Sequence, residues 1–153
     1  MTSWPGPEYR VTTVLRVPLA FAYRWCTDFR PDDAQREGET YERRVLEQSS
    51  WRVVYEDLES TPTGWRWARH SVVRKPPNRW HSDSTGNYRD ARLDYALTSL
   101  GPERTRFTLV WRRRPSVLAG RRPSKKSIEL STLRAWRTFA KAMESDYRQG
   151  RRR

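Results

Sequence analysis

The 153-residue sequence predicts one α+β domain in which a seven-stranded antiparallel sheet packs against a long C-terminal helix. Three patterns carry this prediction. An alternating strand stands near the N-terminus, six short segments of strand character follow a pair of short helices, and an amphipathic helix ends the chain. Residues that favour turns separate most of the six segments, so consecutive strands are expected to pair as a meander.

The N-terminal elements are predicted from alternation and from helix start signals. Residues 9–17 alternate in polarity with period two, as in a half-buried strand. Pro18 suits a first helical position because it lacks a backbone N–H, and a short helix is predicted over residues 19–26. The acidic start at residues 31–33 and the stop at Gly38 predict a second short helix.

The remaining elements follow from turn residues and from periodicity. The six strands are predicted at residues 40–47, 51–58, 65–73, 79–85, 92–100 and 104–112. Residues 111–126 are basic and contain two prolines, which indicates an exposed loop. Residues 127–149 lack proline and glycine and carry one apolar stripe at helical spacing, formed by Leu130, Leu133, Trp136, Ala140, Met143 and Tyr147.

Length and composition indicate a single folded domain over residues 1–153, with an ordered core at about 9–149 and a basic tail at 150–153. Hydrophobic residues make up only 35% of the chain, but eight tryptophans, seven tyrosines and four phenylalanines supply a core. No segment is apolar enough to span a membrane, and the first ten residues lack the pattern of a secretory signal. The single cysteine, Cys26, excludes an internal disulfide and fits a cytoplasmic protein.

The net charge of +13 is concentrated in one part of the chain. Residues 1–103 contain fifteen basic and fifteen acidic residues, whereas residues 104–153 contain sixteen basic and three acidic ones. Such asymmetry indicates either an anionic partner or a basic tail. Two simpler explanations remain open: 27 of the 31 basic residues are arginine, as Arg-rich codon usage would produce, and net charge also maintains solubility.

The order of elements resembles the START-like or SRPBCC superfamily, whose members have the helix-grip fold and include polyketide cyclases. Local sequence is similar as well: Val17-Pro18 opens the first helix, residues 25–29 read Trp-Cys-Thr-Asp-Phe, and Arg79-Trp80 follows a double proline. Residues 101–106 resemble the last hairpin of that family. The resemblance implies a curved sheet that wraps around the C-terminal helix and a ligand cavity between them.

A predicted register for one hairpin assigns residues to the cavity. If residues 75–78 form a four-residue turn, Arg74 faces Arg79, and the side chains of Trp65, Trp67 and Arg69 share a face with Trp80. The tryptophans favour this face as the interior, although a slip of one residue would reverse one strand. The predicted ligand-binding residues are Trp65, Trp67, Arg69, Trp80, Tyr95, Leu97, Phe107, Trp136 and Met143.

Candidates for catalysis are fewer. The same register places His70, His81 and Asp83 together on the opposite face, where they form an Asp–His pair of the kind that serves as a general base, or a solvated surface. Two histidines and a carboxylate also resemble an open metal site, but no metal and no cofactor is predicted. Cys26 is interpreted as a small buried apolar residue.

Binding is therefore the first functional hypothesis: a small apolar or aromatic molecule, such as a lipid or polyketide, lies between the sheet and the final helix. The alternative is an enzyme similar to the polyketide cyclases or dehydratases that uses the same pocket. The third is a basic interaction protein that binds nucleic acid or an anionic membrane through residues 112–126 and the C-terminal helix. The sequence leaves the ligand and the oligomeric state open.

Overall fold

A computed structural model of the chain describes residues 6–87, 90–114 and 123–150. Half of the predicted basic loop, residues 115–122, and all but Gly150 of the predicted basic tail therefore lie outside the described residues. Within them, seven strands and three helices follow in the predicted order. Their bounds are β1 (Glu8–Leu15), α1 (Leu19–Thr27), α2 (Asp33–Glu37), β2 (Glu42–Gln48), β3 (Arg52–Thr61), β4 (Gly64–Lys75), β5 (Arg79–Gly86), β6 (Asp90–Gly101), β7 (Arg104–Arg113) and α3 (Lys125–Arg148).

The strands form one curved antiparallel sheet in the order β1-β7-β6-β5-β4-β3-β2. Strands β2 to β7 pair as a meander, and β1 returns to pair with β7. The core lies between one face of this sheet and the helices. Its largest fully buried side chains come from β1, β6, β7 and α3: Leu15, Leu97, Phe107, Leu109 and Met143. The predicted helix-grip arrangement is confirmed.

Helix α3 begins two residues before the predicted start because Ser124 caps it. The Ser124 hydroxyl accepts a hydrogen bond from the Ser127 backbone N–H at 3.1 Å, which satisfies one of the free donors of the first turn. Along its length α3 covers the edge of β1. The carboxylates of Glu129 and Glu144 accept hydrogen bonds from the backbone N–H groups of Arg10 and Arg16 at 3.0 and 2.9 Å.

The predicted register of the β4–β5 hairpin is wrong by one residue. Lys75 pairs with Arg79 and Arg74 with Trp80, since the turn consists of residues 76–78 and is one residue shorter than expected. Asn78 fixes this turn: its side-chain amide donates to the Leu97 carbonyl, and its own carbonyl accepts from the Leu97 N–H. The shift leaves the interior assignment of β5 intact and reverses the assignment of β4.

Candidate ligand cavity

A cavity of about 370 Å³ lies between the sheet and α3, beside α1 and α2. Its volume is at the lower end of the range typical of small-molecule pockets. Helix α1 and the segment after it contribute Trp25, Cys26 and Phe29 to the lining. The buried indole of Trp25 donates to the Asp146 carboxylate at 2.9 Å, and this hydrogen bond ties α1 to α3. The whole lining consists of Trp25, Cys26, Phe29, Asp33, Tyr41, Arg43, Tyr55, Asp57, His70, Trp80, Leu93, Tyr95, Leu109, Trp111, Ser131, Thr132, Ala135, Trp136 and Phe139.

One side of the cavity is aromatic. Trp80 on β5 and Tyr95 on β6 are cross-strand neighbours, and their rings stack at 4.7 Å between centroids. Trp136 of α3 contacts Tyr95 edge-on at 5.9 Å, and Phe139 one turn later contacts Trp136 at 5.3 Å. Phe107 supports Trp136 from the sheet at 4.0 Å. Such contacts hold large rings in fixed positions, which favours a flat apolar guest beside them.

The opposite side is polar and is organised around Arg43 of β2. The Arg43 guanidinium donates to Asp57 of β3 through Nε at 2.8 Å and through Nη2 at 3.0 Å. It also donates to Asp33 at the start of α2 at 2.6 Å. All three side chains are almost fully buried, so these ion pairs are shielded from water.

The environment of Arg43 fixes its charge. Burial acts to lower the pKa of Arg43, but the hydrogen bond to Asp57 and the charge interactions with Tyr55, Asp57 and Tyr41 outweigh it and raise that pKa above its ordinary value. The guanidinium also lies 4.2 Å from the centroid of the Tyr55 ring, within the range of a cation–π contact. Arg43 is therefore a permanent cation that is already held by two carboxylates.

His70 of β4 joins this polar side. Its Nδ1 lies 2.7 Å from the Ser84 hydroxyl, and its Nε2 lies 3.7 Å from the Asp57 carboxylate. The imidazole stacks on the Tyr55 ring at 4.6 Å, and only 4% of the residue is exposed. A buried imidazole with a hydroxyl on one nitrogen and a carboxylate near the other is an arrangement suited to proton transfer.

The predicted ligand-binding residues divide into three groups. Trp80, Tyr95 and Trp136 line the cavity. Leu97, Phe107 and Met143 are fully buried in the core, outside the lining. The third group, Trp65, Trp67 and Arg69, was assigned to the wrong face: Trp65 is 63% exposed, and the exposed Arg69 bonds Glu56 on the outer surface. The one-residue shift of register is the physical reason for this error.

The predicted grouping of His70 with His81 and Asp83 is also wrong. His70 faces the interior, whereas His81 lies on the outer face and contacts Asp94 at 2.8 Å and Asp83 at 3.1 Å. The same shift of register separates them, because β4 turns its even-numbered residues inward and β5 turns its odd-numbered residues outward. Within residues 6–87, 90–114 and 123–150, no group of three potential ligands is arranged to hold a metal ion.

Sequence reasoning missed the charged residues of the cavity. Arg43 and Asp57 were not among the predicted site residues, and Asp33 was used only as part of the acidic start of α2. Arg43 and Asp57 nevertheless fall at alternate positions beside the apolar residues Val45 and Tyr55. The signal in the sequence was a charged residue two positions away from an apolar residue on the same strand. The two side chains then lie on the same face, which is the interior face. Opposite charges on neighbouring strands then predict a pair, provided that the register is known.

Comparison with solved structures finds the same architecture at low sequence identity. A START superfamily protein from Mycobacterium smegmatis has a TM-score of 0.69 at 13% identity, over 94% of this chain and 99% of that one. The Zhui aromatase/cyclase of a Streptomyces species has a TM-score of 0.66 at 13% identity, over 92% of each chain. A protein from Thermus thermophilus has a TM-score of 0.67 at 15% identity, over 91% of this chain and 95% of that one.

Other comparisons add little to this. No protein-family model matches the sequence, and no curated protein matches it at the sequence level. Among the described helices, none is both long and apolar enough to cross a membrane. At identities of 13–15%, the structural neighbours establish the fold alone. The chain therefore has the START-like, helix-grip fold that its sequence resembles.

Proposed function

We propose that the cavity binds a small, largely apolar molecule that contains at least one ring. The observation that carries this proposal is the cavity itself: about 370 Å³ beneath α3, with stacked rings on one side and a compact polar cluster on the other. Ligand pockets in proteins have this composition, a mostly apolar lining with a few placed polar groups. The START superfamily protein and the aromatase/cyclase among the structural neighbours add general support.

The polar cluster restricts how the guest is oriented. Arg43 is committed to Asp33, Asp57 and Tyr41, which together occupy four of its five N–H donor positions. A ligand carboxylate would have to displace a protein carboxylate in order to reach it. We therefore expect neutral ring compounds with a hydroxyl or carbonyl group to bind better than aromatic acids of the same size, with the polar group against His70 and Asp57.

Tryptophan fluorescence quenching and native mass spectrometry test binding directly. The probes are a flavonoid, a naphthol, a naphthoic acid and a long-chain fatty acid. Trp136→Ala removes a ring from the cavity wall, and we expect it to weaken binding of the best probe at least tenfold. Trp65→Ala removes the same side chain from the outer face, and we expect it to leave affinity within twofold. Equal effects of the two substitutions, or no binding of any probe, would contradict the proposal.

A second candidate function is catalysis of a cyclisation or dehydration in the same cavity, and His70 is the observation that favours it. His70 is the one residue of the predicted catalytic set that lies in the cavity wall, and its contacts with Ser84 and Asp57 suit a general acid–base group. In such a reaction His70 would take a proton from the carbon between two carbonyl groups. The carbanion would attack a distant carbonyl carbon, and the new alkoxide would take the proton back from His70. His70 would then remove the remaining proton of the attacking carbon, and the hydroxyl would leave with it as one water per ring formed.

The catalytic candidate is tested with a linear oligo-β-ketone thioester as the probe, followed by mass spectrometry for the loss of water. His70→Gln keeps a polar side chain and removes the titratable nitrogen, so we expect the rate to fall by about 10²–10⁴-fold. We expect binding of the probe to change by less than threefold. Unaltered turnover in His70→Gln, or no turnover in the unmodified protein, would leave binding as the function of the cavity.

A further inference from the structure

The three acidic residues of the C-terminal third all direct their carboxylates toward the body of the protein. Residues 104–153 contain only Glu129, Glu144 and Asp146 as acids. Glu129 bonds the backbone N–H of Arg10 in β1, Glu144 bonds that of Arg16 directly after β1, and Asp146 bonds the indole of Trp25. These contacts turn the three carboxylates toward neighbouring elements, and every exposed charged residue of α3 is basic.

That outer face carries a straight line of cations, here called the cationic row: Arg134, Arg137, Lys141 and Arg148. Their spacing of three, four and seven residues places them on one side of α3, over about 21 Å at 1.5 Å per residue. All four are exposed, and none takes part in a salt bridge among the residues that the structure describes. Lys125 and Lys126 add two exposed cations at the start of the same helix.

We propose that the cationic row binds the phosphate backbone of a nucleic acid duplex without regard to base sequence. Duplex DNA offers a regular line of negative charges, which complements a rigid row of cations. Contacts between cations and phosphates carry no sequence information, so the row supplies affinity without sequence specificity. This surface is separate from the cavity, and the inference does not depend on the proposed ligand.

The same observations argue against a lipid bilayer as the partner. A helix that lies on a membrane buries an apolar face among the lipids. The apolar stripe of α3 is instead occupied by the sheet, with Ala140 and Met143 buried there. Among the residues that the structure describes, Leu130 is the only large apolar side chain exposed beside the row.

Fluorescence anisotropy with the full chain and two labelled 20-base-pair duplexes of unrelated sequence tests the proposal. Four phosphate contacts predict a salt slope of about −3.6, which corresponds to a loss of affinity of about 10²-fold between 50 and 200 mM salt. Both duplexes are expected to bind equally. The triple variant Arg134→Gln, Arg137→Gln, Lys141→Gln is expected to reduce the magnitude of the slope by about three.

A matched control distinguishes the effect of the cationic row from the effect of the net charge of the protein. Arg44→Gln, Arg79→Gln, Arg106→Gln removes three exposed arginines from the outer face of the sheet and lowers the net charge equally. We expect this control to keep most of the slope, and circular dichroism checks that both variants fold. Equal losses in the two variants, absence of duplex binding at low salt, or row-dependent binding only to vesicles of phosphatidylcholine and phosphatidylserine would each overturn the proposal.

Discussion

At the scale of single residues, the phenol hydroxyl of Tyr23 on α1 lowers the stability of the fold. Its hydroxyl is buried, with no hydrogen-bond partner among the residues that the structure describes. The ring itself packs edge-on against Trp80 at 6.0 Å, so the side chain fills space beside the cavity. A buried hydroxyl without a partner loses its hydration and gains nothing in return.

We therefore expect Tyr23→Phe to stabilise the protein by about 1 kcal/mol at neutral pH, because it keeps the ring and removes the unpaired hydroxyl. Urea denaturation monitored by circular dichroism measures this change. Tyr23→Leu serves as the control, since it removes the hydroxyl together with the ring and should destabilise. A loss of stability in Tyr23→Phe would show that the hydroxyl has a partner in solution.

The same residue predicts a response to alkaline pH. Burial raises the pKa of Tyr23, against a smaller opposing effect from the charge of Arg74. Above about pH 10 the unfolded chain ionises this phenol before the folded protein does, so stability should fall as the pH rises further. Tyr23→Phe should flatten that fall. Parallel curves for the two proteins between pH 9 and 11.5 would contradict this expectation.

Replacement of Arg43 should lower the free energy of unfolding substantially. Replacement by methionine keeps much of the side-chain volume but leaves the buried carboxylates of Asp33 and Asp57 without its charge. Breaking a buried ion pair from one side costs about 3–5 kcal/mol, which urea denaturation would detect. The matched control is Arg69→Met, which breaks an exposed pair with Glu56 and should cost less than about 1 kcal/mol. Similar losses at the two sites would contradict the structural role of Arg43.

At the scale of elements, the contact between α3 and β1 closes an edge of the sheet. Glu129 and Glu144 are separated by about 22 Å along the helix, and Arg10 and Arg16 by about 20 Å along β1 and the residue that follows it. These two separations are nearly equal, so both carboxylates reach the N–H groups at the edge of the sheet. An edge that is capped in this way is protected from pairing with another chain.

This match predicts the effect of Glu144→Ala. The substitution removes the acceptor for the Arg16 N–H and should cost about 1 kcal/mol, because hydrogen bonds to charged groups contribute at least that much. Amide hydrogen exchange at Arg16 should accelerate, whereas exchange at Arg10, bonded by Glu129, should stay protected. Glu144→Gln keeps an acceptor and is expected to retain most of the protection. Unchanged exchange at Arg16 in Glu144→Ala would contradict the capping role.

The elements also show what the sequence predicted and why. Alternation, turn residues, helix start signals and the apolar stripe of α3 predicted each of the described strands and helices within a few residues, because these patterns are local. The register of β4 against β5 failed, because it depends on the length of one turn, and the length of that turn depends on the contacts of Asn78 with β6. The sequence does not state such a contact between distant residues. This error of one residue placed Trp65, Trp67 and Arg69 in the predicted site and His70 on the wrong face.

For the whole molecule, the open cavity lowers the stability of the fold and provides the space for a ligand. A core of this size would be more stable if side chains filled the space of about 370 Å³ beneath α3, because empty volume forfeits packing contacts. The fold keeps this space open by holding Trp80, Tyr95 and Trp136 in mutual contact and by anchoring Arg43 with two carboxylates. Substitutions that fill the cavity are therefore expected to raise stability and to weaken binding together.

Helix α3 offers a matched pair of threonines for this test. Thr132 is half-buried and lines the cavity, whereas Thr138 is exposed on the outer side of the helix. Leucine at either position improves helix propensity by a similar amount. Only Thr132→Leu should also bury new apolar surface, which adds about 1 kcal/mol of stability beyond the effect of Thr138→Leu. The same substitution should weaken the best fluorescent probe of the cavity at least tenfold, while Thr138→Leu leaves its affinity unchanged. Thermal denaturation and the quenching titration measure both quantities, and equal stabilities together with equal affinities in the two variants would mean that no open cavity lies beside Thr132.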